Sequence, residues 1–168
     1  MSIEKNELKV VVARAISAPP FSLDSSFLFL QNAKIGDPVP LFNPEYVQDS
    51  WIIPFLLDGL ICAISQVSLN NKLIRVSVFS STPTKKERWF SPIFFREPPK
   101  QYMTEIKGLF QDYQLSYPLL TYDGSPAKWG WRLQVIDAEK VISNIFIIPS
   151  GWYVKEVKDT KKNYDGSL

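Results

Sequence analysis

Any chemistry in this chain would have to rest on carboxylates, tyrosines, serines or lysines. Its 168 residues include no histidine and one cysteine, Cys62. Histidine is the usual general base near neutral pH and the commonest metal ligand, so histidine-based catalytic triads and imidazole zinc or haem sites are excluded within the chain. Cys62 lies in the apolar run 60–64, and such neighbours raise the pKa of a thiol and keep it unreactive. We therefore expect Cys62 to be a core residue.

Carboxylates and tyrosines offer the remaining route to catalysis. The candidate bases are Asp49, Asp123 and Asp137, and the candidate acids are Tyr122 and Tyr153. Such groups would suit a hydrolase or isomerase that works without histidine. An aspartate followed by glycine, as at Asp123, is also typical of a tight turn, because glycine accepts a positive φ. The glycines form no phosphate-binding loop, and we predict neither a cofactor nor a metal site.

Aromatic residues are the more distinctive feature, at 14% of the chain. Clusters of tryptophan, phenylalanine and arginine suit either a buried sheet face or a surface that binds a protein partner, a small apolar ligand or a peptide. Our leading hypothesis is a non-catalytic binding or protein-interaction module that uses an aromatic-rich sheet face or groove. Its candidate contact residues are Arg88, Trp89, Phe90, Arg96, Trp129, Trp131, Arg132 and Trp152.

Charge and hydropathy narrow the partners and the location. The net charge of +2 argues against nucleic acid as a partner. Charged residues interrupt the first residues where a signal peptide would be apolar, and the apolar segment 51–64 contains a proline and Asp58-Gly59. We therefore expect a cytoplasmic protein without a membrane partner. A third hypothesis is a structural subunit that forms a homo-oligomer through an exposed edge strand.

Two predicted helices and several hairpins would position these residues. An apolar stripe over residues 8–16 predicts a first helix, and a second follows Pro98-Pro99. Apolar runs joined by Asp58-Gly59 predict a hairpin, and Asn70-Asn71 predicts a further turn. The last third predicts more strands, with a link over 137–143. We expect an α+β fold, in which two main helices pack on one face of an antiparallel sheet of about six or seven strands.

The order of a helix and then three or so strands occurs twice along the chain. The segments 52–54 and 147–149 share the sequence Ile-Ile-Pro, which raises the hypothesis of two similar α-β-β-β halves. We expect a single α+β domain over residues 1–157, with a subdomain boundary near 80–100 as an alternative. The polar residues 158–168 predict a disordered tail.

Overall fold

The fold is α+β, as predicted. The computed structural model describes residues 2–84, 91–123 and 129–157, with the backbone alone for residues 2–4. In these ranges two helices accompany one sheet, in which ten strands run mostly antiparallel. The helices are α1 (Ser2–Ile16) and α2 (Lys100–Leu109). The strands are β1 (Lys34–Ile35), β2 (Val39–Phe42), β3 (Gln48–Leu57), β4 (Leu60–Ser68), β5 (Leu73–Val78), β6 (Gln114–Leu115), β7 (Leu119–Tyr122), β8 (Trp129–Asp137), β9 (Lys140–Ile148) and β10 (Gly151–Glu156).

The expected six or seven strands were too few. The sequence patterns missed β1 and β6, which have two residues each, and β2, which has four. Segments this short do not display the alternation of a strand. The predicted link over 137–143 is also wrong, because Ala138 and Glu139 adopt φ values of 44° and 67° in a tight turn between β8 and β9. Asp58 and Gly59, at 50° and 77°, form the predicted hairpin turn.

The sheet consists of two antiparallel blocks that meet at its centre. The strand order is β10-β9-β8-β7-β2-β3-β4-β5, with β1 beside β3 and β6 beside β8. Strands β2 and β7 run parallel where Phe42 lies opposite Thr121, and the Thr121 hydroxyl donates to the Phe42 carbonyl at 2.6 Å. The other described pairings are antiparallel. Strands β1–β5 therefore form one block and β6–β10 the other.

The two helices lie on opposite faces of the sheet, and not on one face as predicted. Successive side chains of a strand point to opposite faces. On β3, Ile53 belongs to the core that contains Leu8 of α1. Its neighbour Ile52 belongs to the core that contains Ile106 of α2. Helical periodicity shows which side of a helix is apolar but not which face of a sheet it covers, so the sequence did not reveal this. We name the two surfaces the α1 face and the α2 face.

The inner strands of the two blocks repeat the same pairing register. Lys34 of the first block corresponds to Gln114 of the second, and the same shift in residue number relates the other inner strands. With this shift, the pairings of β3 with β1, β2 and β4 match those of β8 with β6, β7 and β9, except at strand ends. The bulge after Phe55 has its counterpart after Val135. We name α1 with β1–β5 the first half and α2 with β6–β10 the second half. Each half thus has five strands instead of the predicted three.

The shared Ile-Ile-Pro sequence does not mark this repeat. In the repeated register the counterpart of Ile52 is Arg132, and Ile147 is the counterpart of Val67. The two Ile-Ile-Pro segments therefore lie at unrelated places in the sheet. The three-residue match is therefore not evidence for the repeated pairing.

Equivalent residues of the two halves face opposite sides of the sheet. Ile53 of β3 lies in the core under α1, whereas its counterpart Leu133 of β8 lies in the core under α2. An approximate two-fold axis in the plane of the sheet, along β2 and β7, produces this exchange of faces. Each half consequently has one face beside its own helix and one face away from that helix, which we name its helix-free face.

Candidate binding surface

The helix-free face of the first half is apolar and covered. Its residues Ile52 and Ile64 lie in the same core as Phe94 and Phe95. Both phenylalanines come from the 3₁₀ segment Pro92–Phe95, which proline starts. The Phe95 ring centroid lies 4.7 Å from that of Trp129. A short aromatic segment therefore packs on this face where α1 does not, in the core that α2 also joins.

The helix-free face of the second half carries polar residues at equivalent positions. Arg132 occupies the place of Ile52, and Asn144 the place of Ile64. Gln134 lies directly across from Asn144 on the neighbouring strand. Burying polar groups costs free energy unless they are hydrogen-bonded, so three such residues weaken this face as a core. The difference is one of chemistry, since the backbone register is the same.

The cover of the second helix-free face differs as well. The core on the α2 face spans both halves, whereas the core on the α1 face includes no described residue of β7–β10. Phe146 is buried there, and the ring of Tyr153 stacks on it at 5.5 Å with an interplanar angle of 16°. We name this surface the polar face. Its residues are Arg132, Gln134, Asn144, Phe146, Tyr153 and Lys155.

Arg132 is held beneath a short loop, with 5% of its surface exposed. Its Nη2 donates to the Pro44 carbonyl at 2.5 Å, and its Cζ lies 3.8 Å from the centroid of the Tyr46 ring. The loop that supplies both partners follows β2. Asn43 accepts two backbone hydrogen bonds within it, and Tyr46 takes a φ of 64°. The loop thus presents one carbonyl and one aromatic ring to the guanidinium.

Three buried polar atoms on or above the polar face lack a hydrogen-bond partner. They are the Nε of Arg132, the Oδ1 of Asn144 and the hydroxyl of Tyr46, and they are the ones found among the described residues. Each such atom costs about 1–3 kcal/mol, and more when it is charged. Proteins satisfy most of their buried polar groups, so a concentration of unpaired atoms in one place calls for an explanation.

A paired cluster lies at the rim of the polar face. The Tyr153 hydroxyl donates to Asp123 at 3.1 Å, and the Lys155 ammonium donates to the same carboxylate at 2.6 Å. Burial, together with the bond to Asp123, raises the pKa of Tyr153 to about 12. The charge of Lys155 is therefore matched by a carboxylate.

Three of the sequence-predicted contact residues lie away from the polar face. Trp129 and Trp131 are 6% and 7% exposed in the core of the α2 face, where Trp131 Nε1 donates to the Phe94 carbonyl at 2.6 Å. Trp152 is half-buried on the same side, and its Nε1 donates to Glu105 at 3.2 Å. These indoles hold the sheet, α2 and the Pro92–Phe95 segment together.

The remaining predicted residues are divided between two other places. Arg96 is exposed and lines a cleft of about 200 Å³ with Lys34 and Pro54. Arg88, Trp89 and Phe90 lie outside the described residues, as do residues 158–168, for which a disordered tail was predicted. Arg132 is thus the predicted contact residue that the fold brings to the polar face.

The predicted acid and base residues form tyrosine–carboxylate pairs. Tyr122 donates to Asp49 at 3.0 Å, and the Ser50 hydroxyl donates to the same carboxylate at 2.6 Å. Burial first, and then the contact with Asp49, raises the pKa of Tyr122. A tyrosine whose proton is held by a carboxylate releases that proton less readily, so the pair is suited to joining strands. Neither this pair nor the Asp123 cluster brings two described carboxylates together.

Two further sequence-predicted groups have structural positions. Asp137 is exposed at the end of β8, beside the turn into β9. Cys62 is confirmed as a core residue, since it is fully buried and its thiol donates to the Phe55 carbonyl at 3.3 Å. Burial raises the pKa of the Cys62 thiol to about 11. A thiol with such a pKa is protonated and unreactive near neutral pH.

Sequence reasoning missed Tyr46 and Asn144. Tyr46 gave no signal, because a single aromatic residue in a loop has no periodicity. Asn144 sits in β9, where its polar side chain between Ile145 and Ser143 could equally face solvent. Alternation on β8 had set Arg132 and Gln134 apart from the tryptophans, and that pattern was the available clue to the polar face.

Comparisons with models of protein families, with curated proteins and with solved structures give no match. Among the described residues, no three histidine, cysteine, aspartate or glutamate side chains are grouped so that they could hold a metal ion. Within the same ranges, no helix has the length and apolarity needed to cross a membrane. The geometry of the chain itself is therefore the basis for inferring its function.

Proposed function

We propose that this protein is a non-catalytic binding module that holds a segment of a protein partner on its polar face. The observation that carries the proposal is the group of three buried, unpaired polar atoms on Arg132, Asn144 and Tyr46. A partner that supplies the missing hydrogen bonds would remove the free-energy cost of these unpaired atoms, and this gain would contribute to the binding affinity. The proposed face is not the tryptophan-rich face expected from the sequence but the opposite side of the same strands, where Arg132 is the predicted contact residue.

A peptide segment suits the unpaired atoms better than an apolar molecule does. The Nε of Arg132 is a donor, and the Oδ1 of Asn144 is an acceptor. A peptide backbone offers a carbonyl and an amide within one residue, so it can satisfy both atoms. The Tyr153 ring, at 37% exposure, adds apolar area next to them. With a net charge of +2, nucleic acid remains an unfavourable partner.

The hydrolase or isomerase alternative has weaker support. The tyrosine hydroxyl of each pair donates a hydrogen bond to the neighbouring carboxylate, and the pKa of each tyrosine is raised. A general acid works best with a pKa near the working pH. We therefore keep binding as the proposed function. From the charge and hydropathy of the sequence, we also propose a cytoplasmic location.

Selection of a phage library of random linear peptides on the immobilised chain tests this function. Bound peptides are measured against Asn144→Ile, which introduces the residue of the first half, and against Asn6→Ile on the exposed side of α1 as the matched control. We expect Asn144→Ile to weaken binding about fivefold or more, the cost of one lost hydrogen bond, and Asn6→Ile to leave it unchanged. Equal binding by both variants would overturn the proposal.

A second copy of the chain is the alternative occupant of the polar face. Light scattering on the free protein separates the two cases. A monomer supports a separate partner, whereas a dimer that dissociates in Asn144→Ile would replace the proposed function with the self-association predicted from edge strands.

A further inference from the structure

We propose that the partner segment carries an aspartate or glutamate whose carboxylate enters below Tyr46 and pairs with Arg132. This inference rests on the proposed function and specifies the chemistry of the partner. It follows from the charge of Arg132, which is buried without a carboxylate partner among the described residues.

The first observation is the burial of a cation with no anion beside it. Arg132 is 95% buried, as its 5% exposure shows, and no described carboxylate pairs with it. The described ion pairs are Lys9 with Asp37 and Lys155 with Asp123, and neither involves Arg132. Its contacts are a neutral carbonyl from Pro44 and the face of an aromatic ring. Buried charges are normally paired with an opposite charge.

The second observation is which atom of the guanidinium is unused. Nη2 is engaged, while Nε is buried and unpaired. Arginine binds carboxylates through adjacent N–H groups, and such charge-assisted bonds are about twice as strong as neutral ones. The Tyr46 hydroxyl, also buried and unpaired, belongs to the ring that covers the guanidinium. It offers a second donor to the same carboxylate.

The third observation is that an acceptor lies next to these two donors. Asn144 is on the strand beside Arg132, two pairs along the ladder and on the same face, and its Oδ1 is unpaired among the described residues. A free carboxylate has no N–H for this oxygen, whereas the backbone of an acidic residue does. The set of two donors and one acceptor therefore matches an acidic residue within a peptide better than it matches a free anion.

A double-mutant cycle tests the pairing with a peptide selected from the random library. Each acidic residue of the synthetic peptide is changed to its amide, and each peptide is titrated against the wild-type chain, Arg132→Met and the charge-matched control Arg14→Met on the exposed side of α1. We expect one amide change to weaken binding to the wild type by about tenfold or more, as for a charge-assisted hydrogen bond. The same change should have little effect on Arg132→Met, and Arg14→Met should behave as the wild type.

Three results would overturn the inference. The first is a selected peptide that depends on Asn144 but tolerates every amide change, which would leave the proposed function intact. The second is binding of acetate or succinate that competes with the peptide at Arg132, which would identify a free carboxylate as the ligand. The third is the same amide effect on Arg132→Met as on the wild type. Tyr46→Phe, which keeps the ring, gives an independent check, with an expected loss of about fivefold.

Discussion

The two helix-free faces have the same backbone register and opposite chemistry. In the first half, Ile52 and Ile64 lie under Phe94 and Phe95. In the second half, the corresponding places hold Arg132 and Asn144, and the described cover is a loop. One face is a finished core, and the other keeps unpaired polar atoms. Burial in a repeated sheet therefore depends on residue type and on the connecting segment, and not on the strand pattern alone.

A smaller difference between the halves involves two paired positions. In the second half, the backbone N–H of Gln134 donates to the Ser116 hydroxyl at 2.8 Å. In the first half, Pro54 has no amide to donate, and Gly36 has no side chain to accept. A Cβ on Gly36 would lie 2.8 Å from Pro54 Cγ, so glycine is required beside this proline. Both halves keep the backbone bond to the carbonyl of Pro54 or Gln134.

The largest effect is expected from giving the first half the arginine of the second. Ile52 is fully buried in an apolar core, so Ile52→Arg should destabilise the protein by more than about 4 kcal/mol or prevent folding. Urea unfolding followed by tryptophan fluorescence measures this loss. A cost below about 1 kcal/mol would mean that the two faces are equally tolerant of charge, and the comparison would fail.

Removing the cover of the first half should cost nearly as much. Phe95 is 1% exposed, and Phe95→Ala should lower the free energy of unfolding by about 3–5 kcal/mol. Tyr153→Ala at the polar face removes a ring that solvent already reaches, so we expect a smaller loss of about 1–2 kcal/mol. The same unfolding experiment compares them, and equal losses would argue against an open second face.

The reverse exchange should stabilise the protein. Arg132→Ile removes a buried cation that pairs with no carboxylate in the described ranges, and it introduces the residue of the first half. Replacing a buried charge with an apolar side chain is often neutral or stabilising by about 1–4 kcal/mol, so the thermal midpoint should stay level or rise. Calorimetry gives the result. A fall of several degrees would indicate that Arg132 supports the fold and is not kept for a partner.

The bond between Ser116 and Gln134 should have a modest effect. Ser116→Ala leaves the Gln134 amide without its acceptor, and the expected cost is about 1 kcal/mol. Ser17→Ala, at an exposed position after α1, controls for the substitution itself. If the two variants have the same denaturant midpoint, the bond contributes nothing to stability.

The smallest effect is a pH dependence at the rim of the polar face. The pKa of Tyr153 is raised from 10.0 to about 12, so the folded chain keeps this proton when the unfolded chain has lost it. Its contribution to stability is complete below pH 10 and declines as the pH rises towards 12. Tyr153→Phe should flatten that decline relative to the wild type and to Tyr117→Phe, at an exposed position, in unfolding curves at several alkaline pH values. Identical slopes would contradict the role of Tyr153.

Much of the fold could be predicted from the sequence, because its signals are local. Asp58-Gly59 indicated a hairpin through glycine's positive φ, and the apolar stripe of residues 8–16 indicated α1. The turn at Ala138 and Glu139 was missed because neither residue is typical of that geometry. The repeat itself is visible only in the pairing register, since the chemistry of the two halves differs where it matters most.

The candidate site was harder to predict, because it depends on distant contacts. Arg132 was among the predicted contact residues, but its burial comes from Pro44 and Tyr46, which lie far away in the sequence. Trp129 and Trp131 alternate as a binding face would, yet the Pro92–Phe95 segment covers them. Periodicity identifies the two sides of a strand, but the connecting segments determine what covers each side.

The central claim is that the polar face, and not its counterpart, binds a partner. Nuclear magnetic resonance of the labelled chain during titration with an acidic peptide from the random library tests it directly. We predict changes in the Arg132 Nε–H signal and in the amide signals of Asn144 and Phe146, with the signals of Ile64 and Gln66 unchanged. Changes centred on the first half, or on the cleft beside Arg96, with the Arg132 signal unmoved, would contradict the account.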